Sequence, residues 1–295
     1  MHVSGRSVRW GLALRDGSSP VGPTIVPRIG RWPQASQRGS FEDVQWWAFA
    51  QGKMKMFGAV RKYGAGMAYE ESRVRGSGLI LWRSTSGTSE GTAVVPDGVL
   101  DLMWFRERFV VAGADTRMHQ FHSEPKTVTW GLRLPPGTAH ALLEVPVNEL
   151  TDERVELADL TSAAPVWLDT CEVSPWAALL RSYADLTRRT DPNPRVLQRA
   201  SMVDRSARRG LSVRETADLL GTTDRTLRRF SHQVFGYGMK TLSSIHRFQH
   251  ARTRANQGAS WTDAAAAAGY SDQAHFTRES RRWSGRTPTE LQRLV

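Results

Sequence analysis

The last hundred residues carry one local pattern twice: a capping residue, a short periodic apolar run, a glycine, a second capping residue and a longer periodic run. In the first copy Ser212 can cap a helix, and Glu215 three residues on completes a capping box. Val213, Thr216, Ala217 and Leu220 then share one face at helical spacing. Gly221 stops that helix and Thr222 or Thr223 caps the next. Its inner face is Leu227, Phe230 and Val234, and its outer face holds Arg225, Arg228, Arg229 and His232. In the second copy Ser260 or Thr262 starts a short Ala-rich helix through Ala268, Gly269 turns the chain, and Ser271 or Asp272 caps a helix running to about Trp283. Phe276 and Trp283 face inward there, with Gln273, Ala274, Thr277 and Arg278 outward. A short helix, a glycine turn and a second helix with a basic outer face make the geometry that lays one helix in the major groove of duplex DNA.

The two copies are consistent with one another. Leu227 and Phe276 occupy equivalent positions, and Met239 to Asn256 between them reads as one helix, with Leu242, Ile245, His246, Gln249 and Arg252 at helical steps and Gly258 closing it. A rigid helix between two readers can hold them about one DNA turn, ~34 Å, apart on one side of the duplex. Charge agrees with this. Pro192 to Val295 holds 18 Lys and Arg against 8 Asp and Glu, in a chain whose net charge is +11. A charge run alone is most often a solvated surface; its coincidence with two groove-reading helices favours phosphate backbones and a steep salt dependence.

These residues resemble the DNA-binding domain of AraC/XylS-type transcription regulators. The resemblance covers Asn193 to Val295 and is most specific from Ala267 to Pro288, where Gly269-Tyr270, His275-Phe276, Arg281-Arg282 and Gly285-Arg286-Thr287-Pro288 fall at the spacing of that family's C-terminal signature. Ser280 stands where the family usually has Phe. Ser231 departs likewise at an aromatic position, as does Phe235-Gly236-Tyr237-Gly238 around the usual Thr-Gly, and these losses are expected to weaken packing locally. By position in the motif, the resemblance implies base contacts from Arg225, Arg228 and Arg229 in the first unit and from Gln273, Ala274, Thr277 and Arg278 in the second. For Arg229 the competing reading is a salt bridge to a nearby carboxylate. Arg205, Arg208, Lys240, Arg281, Arg282 and Arg286 flank the reading helices and suit phosphates. The resemblance further implies double-stranded DNA and RNA polymerase as partners, activation as the commoner output, room for a small-molecule effector, and either a monomer or a homodimer.

Ahead of this domain the pattern is β-like. Leu79 to Trp82, Thr92 to Val95, Val99 to Trp104, Arg108 to Val111, Thr127 to Leu132 and His140 to Val145 are short runs rich in Val, Leu, Trp and Thr, parted by Gly, Pro or Asp. The expected fold is α+β and multidomain: a β-rich, barrel-like N-terminal domain, then an all-α domain with two helix-turn-helix motifs. Pro96-Asp97-Gly98, Asp101-Leu102-Met103-Trp104, Gly131-Leu132-Arg133-Leu134 and Glu149-Leu150 resemble an uncharacterised domain that precedes AraC-type readers, although Val99 replaces a common Cys.

A metal or an enzyme in the β-rich part is the alternative. His119, His122 and His140 with Asp97, Asp101 and Glu144 are the available ligands, but the spacing of a metal-binding cupin is missing, so neither metal nor cofactor is expected. Asp97-Gly98 is itself a hairpin signal. Arg133, the one charge in an apolar run, can pair with Asp101 or with an anionic effector, which makes Asp101, Trp104 and Arg133 the ligand candidates. No Ser, His and Asp or Cys and His hydrolase pattern is visible, and the single Cys171 cannot supply the cysteine set of the DNA-repair methyltransfer domains that some AraC-type readers carry. The chain is therefore not expected to be an enzyme.

Residues 1–66 are rich in Gly, Ser, Pro and Arg and read as a poorly ordered extension, or as sequence upstream of a true start at Met67. The β-rich regulatory domain is expected over 67–164, a linker helix over 165–191 with its apolar stripe on the β domain or in a dimer, and the DNA-binding domain over 192–295. There is no apolar run long enough to span a membrane, and a lone cysteine fits the cytoplasm.

Overall fold

The computed structural model describes residues 61–63, 67–87, 92–161 and 174–292. Among them the first half is a sheet in the order β1-β2-β3-β8-β5-β6-β9, antiparallel at every junction. Its strands are β1 (Arg61–Tyr63), β2 (Met67–Arg73), β3 (Ile80–Thr85), β5 (Asp101–Phe105), β6 (Arg108–Ala112), β8 (Val128–Arg133) and β9 (Arg154–Glu156). A separate pair joins β4 (Thr92–Val94) to β7 (His119–Phe121). Among the described residues β1 and β9 are open edges, so the β-rich part is barrel-like in composition without closing into a barrel. The 1–66 segment enters the described structure only through β1, which pairs with Met67 to Tyr69; the rest of it lies outside the described residues.

Two local expectations change. Asp97-Gly98 does not close a hairpin: β4 pairs with β7 and β5 with β6 and β8, so the turn joins two separate sheets. His140 to Val145 is not a strand but lies mostly in helix α1 (Thr138–Leu143), which starts after Gly137 in the left-handed conformation. Ala139, Leu142 and Leu143 are buried at helical spacing, a period hidden in an apolar run too short to tell helix from strand.

Alternation along the strands sets the layers. Leu81, Leu102, Val111 and Leu132 are 0–2% exposed and leave one face of the sheet. Onto that face packs α3 (Pro175–Thr190), against β5, β8 and α1. The helix begins at Pro175 because proline's fixed φ and missing N–H suit the first turn. Trp167, Leu168 and Cys171 lie outside the described residues. The fit leaves a void of about 10 Å³ among Leu102, Val111, Leu142, Leu157, Tyr183 and Leu186, room for no more than a water. Each leucine sealed there contributes roughly 1.5–3 kcal/mol of transfer free energy.

A 3-10 turn (Val147–Leu150) and the short α2 (Leu157–Leu160) complete the β-rich part. The helical part follows as α4 (Pro194–Arg208), α5 (Val213–Leu219), α6 (Asp224–Phe235), α7 (Met239–Asn256), α8 (Trp261–Ala267), α9 (Gln273–Ser284) and α10 (Pro288–Gln292). Asn193 caps α4, accepting from the Arg195 N–H at 3.0 Å. The β-rich and helical parts belong to one compact unit, in contact where α6 meets the 3-10 turn and where α1 meets α4 and α6. Among the described residues no helix is long and apolar enough to cross a membrane.

Candidate nucleic-acid interface

Both repeats fold as capped pairs. Ser212 accepts from the Glu215 N–H at 3.2 Å while the Glu215 carboxylate accepts from the Ser212 N–H at 2.8 Å, closing the capping box that starts α5. Gly221 turns the chain at φ +59°, and Thr223 caps α6, accepting from the Thr226 N–H at 3.2 Å. In the second unit Ser260 caps α8, Gly269 turns the chain at φ +82°, and Asp272 caps α9, accepting from the His275 N–H at 2.6 Å.

The inner faces are as the periodicity requires. Leu227 and Phe276 are fully buried, Val234 is 2% exposed and Trp283 is sealed. Phe230 is only half-buried, with the Arg199 guanidinium 4.8 Å over its ring. Trp283 fixes α9 to α7: its indole N–H donates to Glu279 Oε2 at 2.9 Å and to Ser244 Oγ at 3.2 Å, and Ser244 in turn donates to Glu279. Ser280, placed where an aromatic was expected, is buried, and its hydroxyl donates to the Arg286 carbonyl at 2.7 Å. The expected local weakening at that position is thus offset by a bond that ties down the chain after α9. Ser231 is equally buried, but its hydroxyl has no partner among the described residues.

The outer faces separate the base-contact candidates from some of the phosphate candidates. Arg225, Arg228, Arg229, Gln273, Ala274 and Arg278 are exposed, and Thr277 is half-buried with its hydroxyl donating to the Gln273 carbonyl at 2.8 Å. Arg225, Arg228 and Arg229 make no ion pair among the described residues, so no carboxylate engages Arg229. Arg205, Lys240 and Arg281 are likewise exposed, and Arg286 is half-buried. Arg208 is tied to Asp204 at 2.8 Å. Arg282 lies 3.7 Å from Glu279 with its guanidinium 4.3 Å over the Trp283 ring. These pairs hold Arg208 and Arg282 to the protein. Exposed Arg209, at the end of α4, and Arg214, on α5, join the same basic part; the run Arg208-Arg209 is the one local signal of the former, and Arg214 has none.

The β-rich part holds two polar clusters. In the first, Arg133 donates to Asp97 Oδ2 at 2.7 Å and lies 3.6 Å from Asp101 Oδ1, so the internal pairing of Arg133 takes in the turn carboxylate of Asp97 as well as Asp101. Burial pushes the Asp101 carboxyl up to about 6, with the Arg133 guanidinium pulling the other way. Trp104 leaves the opposite face of β5 and packs edge-on against Phe109 at 4.8 Å, so the three ligand candidates do not converge. In the second cluster His119 Nε2 lies 3.2 Å from Asp115 and 3.3 Å from Asp152. Its proton affinity is raised, chiefly by the bond to Asp115. This trio has the atoms of a metal site, yet Arg154 already grips Asp115 with both nitrogens at 2.8 Å, and Asp152 accepts from Thr116 N at 2.8 Å and Oγ1 at 2.5 Å. Burial opposes it, but those Thr116 bonds hold the Asp152 carboxyl below its usual range. His122 is exposed, and His140 Nδ1 sits 2.9 Å from the Val145 carbonyl, so neither joins the trio. The Asp115 to Arg154 fork spans 39 residues and had no local signal.

Comparison with known proteins agrees with this division. Residues 216–294 match a family described as a helix-turn-helix domain, and residues 80–156 match a domain of unknown function, DUF6597. No curated protein matches. Among solved structures the chain is similar to ToxT from Vibrio cholerae O395, with a TM-score of 0.40 and 9% identity over 74% of this chain and 97% of that one. It is also similar to unsaturated fatty acid bound wild-type ToxT from Vibrio cholerae strain SCE256, with a TM-score of 0.36 and 9% identity over 80% of this chain and 98% of that one. The chain carries a DUF6597 domain over 80–156 ahead of an AraC-type helix-turn-helix domain over 216–294, and the paired, capped, basic helices of the latter support a DNA-binding transcription regulator.

Proposed function

We propose that the chain reads double-stranded DNA sequence-specifically by laying α6 and α9 in adjacent major-groove segments, and that it activates transcription through RNA polymerase. The observation that carries this reading is the set of exposed, unengaged arginines, Arg225, Arg228 and Arg229, on a capped helix within a strongly basic part. Arginine offers a bidentate fork to guanine, and glutamine, as at Gln273, to adenine; Ala274 and the Thr277 methyl suit thymine methyls, and Arg278 adds a further donor. Arg205, Lys240, Arg281 and Arg286 serve phosphates, with Arg208 and Arg282 in support from their ion pairs. The regulatory part spans 67–164, a linker over 165–191 that contains α3 joins it to the reader, and the reader spans 192–295. The chain works in the cytoplasm as a monomer or homodimer and has no catalytic role; the polar clusters of the β-rich part are internally paired, which supports that side of the reading.

Binding-site selection with two variants tests it. Arg228→Ala is expected to relax sequence choice at one position, at a cost of ~1–3 kcal/mol. Arg281→Ala is expected to weaken binding evenly across sequences and to reduce the salt slope by about one. Equal, sequence-independent losses for both variants would refute the assignment of α6 as a base reader.

A further inference from the structure

The Pro96–Gly98 turn touches both halves of the molecule. On one side Asp97 accepts from Arg133 at 2.7 Å and, through its other oxygen, from the Val99 N–H at 3.3 Å, which ties the turn to β8 and to the buried Asp101 beside it. On the other side the Pro96 carbonyl accepts from the Gln249 side chain of α7 at 2.5 Å. Gly98 adopts φ +84°, and a Cβ there would lie 3.0 Å from His246 Cε1 and 3.1 Å from Leu242 Cδ1, so the backbone itself is pressed against α7. His246 is in turn fixed from behind by Asp204 of α4 at 2.8 Å. The helix so gripped is the one that packs on α4, α6, α8 and α9 and therefore carries both reading units.

We propose that the Pro96–Gly98 turn is a latch that couples the polar interior of the β-rich part to α7, so that breaking the Asp97 to Arg133 pair frees α7 at Leu242, His246 and Gln249. The pair is the only charged hold on the turn among the described residues, and the turn's two remaining grips on α7 are a single carbonyl and a glycine with no side chain to anchor it. A change at Arg133 therefore reaches α7 through three consecutive residues. The latch stands without the DNA-reading proposal; its effect on DNA binding rests on that proposal.

Hydrogen–deuterium exchange of the full chain without DNA tests the latch separately from DNA recognition. In Asp97→Asn, which keeps the side chain's shape and an acceptor for the Val99 N–H, exchange is expected to quicken about fivefold in 96–100 and in 242–250, while α5, which packs on α6, exchanges at the wild-type rate. Faster exchange in the turn with an unchanged 242–250 overturns the proposal, as does a uniform rise that includes α5. Should Asp97→Asn fail to fold, Gln249→Ala reads the coupling from the helix side. Faster exchange in 96–100 and at the Arg133 amide is then expected, and an unchanged turn overturns the latch.

Discussion

The two reading units are built alike and held differently. Each is a capped helix, a left-handed glycine and a second capped helix that ends at another left-handed glycine, Gly236 at φ +83° in the first and Gly285 at φ +67° in the second. Gly236 is buried: the Thr151 hydroxyl donates to its carbonyl at 3.3 Å, and Ala114 and Val147 crowd the space a Cβ would take. Gly285 is exposed, and a Cβ there would meet only Met118 among the described residues. The first reading helix is thus seated on the β-rich part at its C-terminal end, whereas the second is seated on α7 through Trp283, Glu279 and Ser244. The difference teaches that a local pattern specifies a helix pair and its turn, while its anchorage is set by contacts far away in sequence.

The glycine pair offers the largest test of that contrast. A Cβ at 236 would stand 2.8 Å from Thr151 Oγ1 and 2.9 Å from Ala114 Cβ, adding a clash to the strain of a left-handed alanine. Gly236→Ala is expected to destabilise by ~3 kcal/mol or more, and Gly285→Ala by ~1 kcal/mol, in urea unfolding. Equal costs would mean that the seat on the β-rich part contributes nothing. The two unusual serines give a smaller contrast. Ser280→Ala loses a buried bond to the Arg286 carbonyl and should cost ~1 kcal/mol, whereas Ser231→Ala removes an unpartnered hydroxyl from a helix and should leave stability unchanged or raise it by ~0.5 kcal/mol, read from thermal melts.

The smallest effect is one of acid. The Asp272 carboxyl is held below its usual range, first by the His275 N–H and then by Ser271. A depressed carboxyl contributes stability that is present above its unfolded value and is lost as pH falls through the folded one. From about pH 4 downward the first turn of α9 is therefore expected to fray, while Thr223, which does not titrate there, keeps α6 capped. Amide chemical shifts followed against pH would show it; parallel fraying of both helices would remove the distinction.

How much could be read beforehand follows the same line. Ser212 with Glu215, Thr223, Ser260, Asp272 and the glycines at 221 and 269 act within a few residues of themselves, so their roles were legible and the helix boundaries fell close to expectation. The outward arginines were legible too, because helical spacing alone decides which face they share. In the β-rich part the run at His140 was ambiguous because four apolar residues fit either period. β7 and β9, three residues each, were too short to show one. Arg133 was marked as needing a partner, but the choice of Asp97 depends on where β5 and β8 place the turn, which no single stretch of sequence records.

The seat beneath α6 also bears on how this regulator can be taken apart. Val234 and Phe235 are 2% and 3% exposed, and they share a small void with Val99, Leu134 and Gly137 from the β-rich part. A fragment starting at Asn193 would lose that wall and present an apolar scar at the end of its first reading helix. Swapping the DUF6597 domain for another would leave the same scar unless the replacement carried the matching surface. In such chimaeras solubility, rather than DNA recognition, would be the first property to fail.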